Sequence, residues 1–300
     1  MLPNRKILVH KPVEVRNLGK KLQDRDLSTG DWHWQVKYDG CHCIVIVRGG
    51  AVEFYTREGN PVLSLNHLVS DLMQWPPGVY FCEAWCSGKE FSEISGLFRR
   101  QTSSSETAAL KLVVFDSVSY SEFHAGRSDL PFDLRWKETV EAYFSSPHTN
   151  IILAAGAIGG SPSLIELQAE VKRRKSEGLW EEDGFIAKER AGIWIAGAGK
   201  GGEQIKVKDH ISVDIECLAV YEGEGKFRGM VGALLCLYAG QPLKVGGGKL
   251  TDAERQTYWD DPSLIEGKIV EVHGLKGSTN GLIREPRFQR IRHDKTEPSE

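Results

Sequence analysis

The residues best suited to chemistry lie in one short stretch, "HWQVKYDGCHCIVIV" (33–47), where a lysine interrupts a run that otherwise reads as buried strand. A lysine at the edge of an apolar sheet is costly unless paired. The desolvation and nearby cations that make it costly also lower its pKa, so the neutral amine becomes a usable nucleophile. Asp39, two residues after Lys37, falls on the same face of a strand and could hold that amine in place. Gly40 lets backbone or ligand come close. Alone, Lys-x-Asp-Gly is a weak pattern that a surface turn also satisfies.

The rest of the chain supplies context. Thr56-Arg57-Glu58-Gly59, Glu83 in "VYFCEAW", Phe115-Asp116 in "LVVFD", "EDGFIAK" ending at Lys188, and Lys206-x-Lys208 follow in order. The glycine-rich "GAGKGG" is not a P-loop, since Trp194 stands where the first glycine belongs, and it reads as a hairpin loop. The six cysteines sit mostly in apolar strand-like runs without CxxC pairs, so they read as reduced buried thiols and no zinc is assigned.

These residues need a scaffold. From Asp31 to Val62 the pattern is strand, turn, strand, an antiparallel meander. Residues 78–88 and 110–120 read as two more strands, and 134–146 and 161–178 as amphipathic helices. "DGFIAKE" and "EQIKVKD" form a further strand pair. After His210 the texture changes to short strands between glycine turns, about five over some 85 residues with little helix, which suggests a small β-barrel such as an OB-fold. The expected fold class is α+β: residues 1–210 form a domain of antiparallel sheets flanked by helices, 211–295 an all-β OB-fold domain, and 296–300 a frayed tail.

The net charge of −3 excludes a protein coated in positive charge, so any nucleic-acid contact must use a local patch. Residues 273–295 hold six Lys/Arg against two Asp/Glu, a balance of +4. No apolar run approaches the roughly 20 residues of a membrane span, and the start lacks a secretory signal. The expectations are a cytoplasmic protein (host cytoplasm if phage-encoded), no membrane association, and a monomer.

In order and spacing, the motif set resembles the covalent nucleotidyltransferases, the superfamily of DNA ligases, RNA ligases and mRNA capping enzymes. "GEGKFRGMVGALLC" and "GSTNGLIREPRFQRIRHDK", with Arg292-His293-Asp294-Lys295 as the closing signature, narrow the resemblance to minimal, phage-type ATP-dependent DNA ligases. The resemblance implies nick sealing in DNA replication, repair or recombination, with ATP as AMP donor and Mg2+ or Mn2+ as metal. Lys37 would become lysyl-AMP, helped by Lys206 and Lys208 at the α-phosphate. It places Gln35, Asp39, Gly40, Arg57, Glu83, Phe115 and Lys188 at the nucleotide, Phe115 stacking on adenine and Glu83 on the ribose. Arg292, Asp294 and Lys295 would close over the outer phosphates, with a joint at 208–210.

The metal would be held by Asp183, Glu182 and Glu83, although the family usually has Glu-Gly where this chain has Asp183-Gly184. Nicked duplex DNA is the implied partner, met by His42, Arg99, Arg100, Arg284 and Arg287. His42 stands where DNA ligases commonly have arginine. The alternatives are an RNA ligase or a capping guanylyltransferase of the same superfamily, or a non-catalytic OB-fold nucleic-acid binder.

Overall fold

The computed structural model describes residues 6–14, 27–156, 164–176, 184–197, 202–208, 211–275 and 281–299. The chain divides into two compact units, Met1–Lys208 and Asp209–Glu300.

In the first unit, the turn after Lys37 does not close a hairpin. β1 (Val13–Glu14), β2 (Trp32–Lys37), β9 (Gly184–Glu189) and β11 (Gln204–Val207) form a four-stranded sheet in the order β1-β11-β9-β2. β3 (Cys41–Arg48), β4 (Ala51–Tyr55), β5 (Gly78–Trp85), β6 (Lys111–Val118) and β8 (Ile151–Leu153) form a second sheet, ordered β4-β3-β5-β6-β8. The expected meander over 31–62 is therefore corrected: β3 and β4 form a hairpin, but β2 belongs to the other sheet. Alternation identified each strand; its partner depends on long-range pairing that alternation does not encode. The consequence for function is direct, because Tyr38-Asp39-Gly40 is the crossover between two sheets. Both sheets are mixed, since β1–β11 and β6–β8 pair in parallel, and β7 (Arg127–Ser128) and β10 (Trp194–Ile195) form a separate antiparallel pair.

The first sheet buries one apolar face, and the second buries both, with Ile44, Ile46, Val79 and Phe81 packed on Trp194 on its other side. Trp32, Trp34, Phe185, Ala187, Ile205 and Val207 form one core with Val171 of the helix Leu164–Ser176. Cys43, Val45, Cys82, Leu112 and Val114 form another with Ile94, Leu97 and Phe98 of the helix Phe91–Phe98. That helix is set by a reciprocal capping box between Glu90 and Glu93. The helix Phe132–Phe144 buries Phe132, Arg135, Thr139 and Ala142.

The second unit is a closed barrel in the order β12-β13-β14-β16-β15, built from β12 (Ile211–Glu222), β13 (Val231–Tyr238), β14 (Gln241–Gly246), β15 (Ile269–Leu275) and β16 (Arg284–Ile291). The helix Asp252–Asp260, capped by Thr251 and Glu254, lies between β14 and β15 in sequence, as in an OB-fold. The segment expected to fray is pinned: Ser299 exchanges two backbone hydrogen bonds with Asp214, at 2.7 and 2.9 Å. Among the described residues, no helix is long and apolar enough to cross a membrane.

Candidate active site

The face of the first sheet opposite its apolar core collects the expected residues. Alternation sends Trp34, Val36, Phe185, Ala187, Ile205 and Val207 to the core side, so Gln35, Lys37, Ile186, Lys188 and Lys206 share the other. Register aligns them: Gln35 and Lys206 both lie opposite Ile186, and Lys37 lies opposite Gly184. Lys208, two residues past Lys206, continues that face beside Gly184.

Only glycine fits at position 184. Its φ is +134°, and a Cβ there would stand 2.1 Å from the Val207 carbonyl oxygen. The result is a side-chain-free gap between Lys37 and Lys208, whose backbones are two strand spacings, about 10 Å, apart.

The second sheet contributes the facing wall. Gly40 sits tight against β5: a Cβ would meet the Ala84 carbonyl at 2.3 Å and Glu83 Cγ at 2.9 Å. Its backbone N–H donates to the Glu83 carboxylate. Burial pushes that carboxyl up to about 7, with Lys37 and Arg57 pulling it down and Asp39 pushing it further up. Lys37, Asp39, Gly40, Arg57 and Glu83 are thus one electrostatic group. Arg57 itself is exposed, at the end of a turn closed by Thr56 and Asn60.

His42 pairs with Glu83 across β3 and β5 and meets the Phe115 ring edge-on at 5.7 Å. Burial, then Arg57, lowers it to about 3, and its Nδ1 is buried without a partner. Desolvation beside the Arg57 guanidinium thus favours the uncharged ring at this position, which was expected to meet DNA.

Phe115 occupies a β-bulge, where the β5–β6 register shifts between Phe81 and Cys82. Its carbonyl accepts from Lys188 Nζ at 2.6 Å and from Gln35 Nε2 at 3.2 Å. Lys188 is only 2% exposed, stands 3.9 Å from Asp116 Oδ2, and is lowered to about 7, chiefly by burial. Asp116 in turn takes two hydrogen bonds from Arg135, at 3.0 and 3.2 Å. Gln35 is 1% exposed, and its Oε1 has no partner.

Lys206, on this same face, pairs with Glu14 at 3.2 Å. Other expected residues are not brought here. Arg99 and Arg100 are exposed after the helix Phe91–Phe98, Arg100 paired with Glu106. Glu182, Asp183 and the joint at 209–210 lie outside the described residues. No cluster of three or more His, Cys, Asp or Glu able to hold a metal occurs among the described residues. Sequence reasoning missed Glu14, Arg135 and Asp214; only Glu14 had a local signal, the short apolar-acidic "VEV".

In the second unit, Asp214 gathers the closing signature. Its Oδ2 accepts from Arg292 at 2.7 Å, Lys295 at 2.6 Å and the Ser299 hydroxyl at 3.3 Å. Arg292 also forks onto Asp294, at 2.9 and 2.7 Å. The Arg292 bonds hold the Asp294 carboxyl well below the usual range. Arg287 is exposed and Arg284 half-buried on β16.

Residues 222–292 match the family model of the DNA ligase OB-like domain. No curated relative matches the chain by sequence. Among solved structures, Pmar-Lig_Pre is 21% identical over 96% of this chain and 68% of its own, with a TM-score of 0.75. A Lig E DNA ligase, described as binding DNA with a minimal scaffold, is 20% identical over 97% of this chain and all of its own, at 0.70. The ATP-dependent DNA ligase of bacteriophage T7, in complex with ATP, is 17% identical over 96% and 100%, at 0.53. The chain thus has the fold of the ATP-dependent DNA ligases, and most of its barrel matches the DNA ligase OB-like domain.

Proposed function

We propose that this protein is an ATP-dependent DNA ligase that seals nicks in duplex DNA. The observation that carries the reading is the convergence of Gln35, Lys37, Lys206 and Lys208 on one sheet face, opposite Glu83 and Phe115.

Adenine is the base that suits this pocket. The Phe115 carbonyl fixes the Gln35 amide with its nitrogen as donor, so the buried Oε1 is left as an acceptor for an exocyclic amine. Adenine presents that amine at position 6, where guanine presents a carbonyl. Phe115 supplies a stacking face.

Lys37 Nζ attacks the α-phosphorus, a P–N bond forms as the bond to pyrophosphate breaks, and the amine loses its proton. AMP then passes from Lys37 to the 5′-phosphate at a nick, and the 3′-hydroxyl displaces it. These in-line displacements need alignment and charge neutralisation more than acid–base chemistry. Lys206, oriented by Glu14, and Lys208 bring positive charge to the phosphate. Glu83 beside Asp39 is a carboxylate pair that favours a cation, and the half-neutral state of Glu83 fits a site that a metal would ionise. A divalent cation such as Mg2+, held by Glu83 with Glu182 and Asp183, would neutralise the departing pyrophosphate when bound. Arg99, Arg100, Arg284 and Arg287 serve a sequence-independent grip on the duplex.

The test is sealing of a labelled nicked duplex with ATP or GTP, over a range of salt. Sealing with ATP alone, weakening steeply with salt, is expected. Label transfer only from GTP would favour a capping guanylyltransferase, and no transfer from either would favour a non-catalytic binder.

A further inference from the structure

We propose that Lys188 is a positioning residue: with Gln35 it clamps the carbonyl of Phe115 on its β-bulge, and thereby sets the ring on which the base of the nucleotide stacks. The inference rests on the ATP-dependent reading above, and it assigns Lys188 a place behind the base platform instead of on the nucleotide itself.

A bulge removes a residue from its ladder, so the backbone groups there need other partners. At Phe115 those partners are two side chains of the other sheet, Lys188 on β9 and Gln35 on β2. The clamp therefore links the base platform to the strand that ends in Lys37, two residues after Gln35. A carbonyl on an ordinary ladder would not couple the two sheets in this way.

Burying an ammonium demands compensation, and Lys188 has it on every side. Its Nζ lies 4.9 Å from the centre of the Phe115 ring and 4.5 Å from that of Phe132. Asp116, the residue after Phe115, supplies a carboxylate at 3.9 Å. That carboxylate is immobilised by Arg135, which also donates to the carbonyls of Leu130 and Gly192. Phe115 is thus held from its carbonyl by Lys188 and from its neighbour by Arg135. With an exposure of 2%, Lys188 has little surface left for a ligand.

The experiment measures lysine adenylylation against ATP concentration in the full chain, for Lys188→Met, Phe115→Leu and the double variant. Loss of one charge-assisted hydrogen bond predicts that Lys188→Met raises KM for ATP about tenfold with kcat within about twofold. In the Phe115→Leu background, Lys188→Met should add no further rise, because the clamp then holds nothing that stacks. Lys188→Gln keeps a donor without the charge and should stay within about threefold of the parent; it replaces the Met variant in the cycle if that fails to fold. An unchanged KM overturns the proposal, and so does a rise that multiplies with Phe115→Leu, which would put Lys188 on the nucleotide. A parent that takes no label from ATP would instead defeat the ligase reading, independently of the clamp.

Discussion

The two units treat their charged groups in opposite ways. Around Lys37, polar atoms are held without internal partners: Gln35 Oε1 and His42 Nδ1 are buried and unpaired, and burial displaces the Glu83 carboxyl upward despite its bond from Gly40. In the barrel, Arg292 and Lys295 are closed onto Asp214 and Asp294, two cations against two carboxylates. Burying a polar group without a partner costs stability, and such cost concentrates at sites prepared for a ligand. The first unit therefore holds unpaired polar atoms where the proposed nucleotide site would lie. The barrel carries an ion cluster closed on itself through Asp214 Oδ2, with Asp214 Oδ1 alone left buried and without a partner. Changes in the first unit should act mainly on activity, whereas loss of a partner in the barrel should act on stability.

The largest effect expected from this contrast is at Gly40. A methyl group at that position meets the Ala84 carbonyl at 2.3 Å, so Gly40→Ala must move the crossover that carries Lys37. Adenylylation should fall by more than about 100-fold, since misplacing a reacting group by about 1 Å has effects of that order. Radiolabel transfer from ATP measures it, and a variant within tenfold of the parent would mean the crossover has slack.

Asp214→Ala comes next. It strips Arg292 and Lys295 of their shared partner, but Arg292 keeps Asp294 and Lys295 is a third exposed, so the protein should lose about 1 kcal/mol, read as a lowered midpoint in urea. A change under about 0.5 kcal/mol would make the cluster an ordinary surface network and would blur the contrast.

The smallest expected effect is at Glu83. Its folded-state pKa of about 7 lies above the usual carboxyl value of 4.5, so between those values the folded chain holds a proton that the unfolded chain releases. Its contribution is fully present below about 4.5 and is lost as pH rises through 7. The parent should lose thermal stability across that window, and Glu83→Gln should flatten the slope while adenylylation falls. Equal slopes in both proteins would remove Glu83 from the poised group.

Much of this arrangement was legible in the sequence. The Lys37 motif, the pairing of "DGFIAKE" with "EQIKVKD", and the change of texture near 211 follow from local pattern. The placement of β2 and β3 in different sheets does not, because alternation is silent about partners. Phe115 in "LVVFD" reads as an ordinary strand residue, since a bulge depends on register against β5. Lys188 reads as a ligand-facing cation until Arg135 and Asp116, 19 positions apart, are seen to meet. The helix Asp252–Asp260 was signalled by Thr251-x-x-Glu254 and passed over amid the glycine turns. Asp214 sits inside a strand whose closing partners lie 78 and 81 residues away, beyond any local signal.

The central claim is that Lys37 is the nucleophile of the proposed nucleotide site in the first unit. Incubation with α-labelled ATP, followed by peptide mapping, tests it most directly. The account predicts AMP on Lys37, none on Lys37→Ala, and sealing of pre-adenylylated nicked DNA by that variant. AMP carried by another residue, or undiminished labelling of Lys37→Ala, would contradict it.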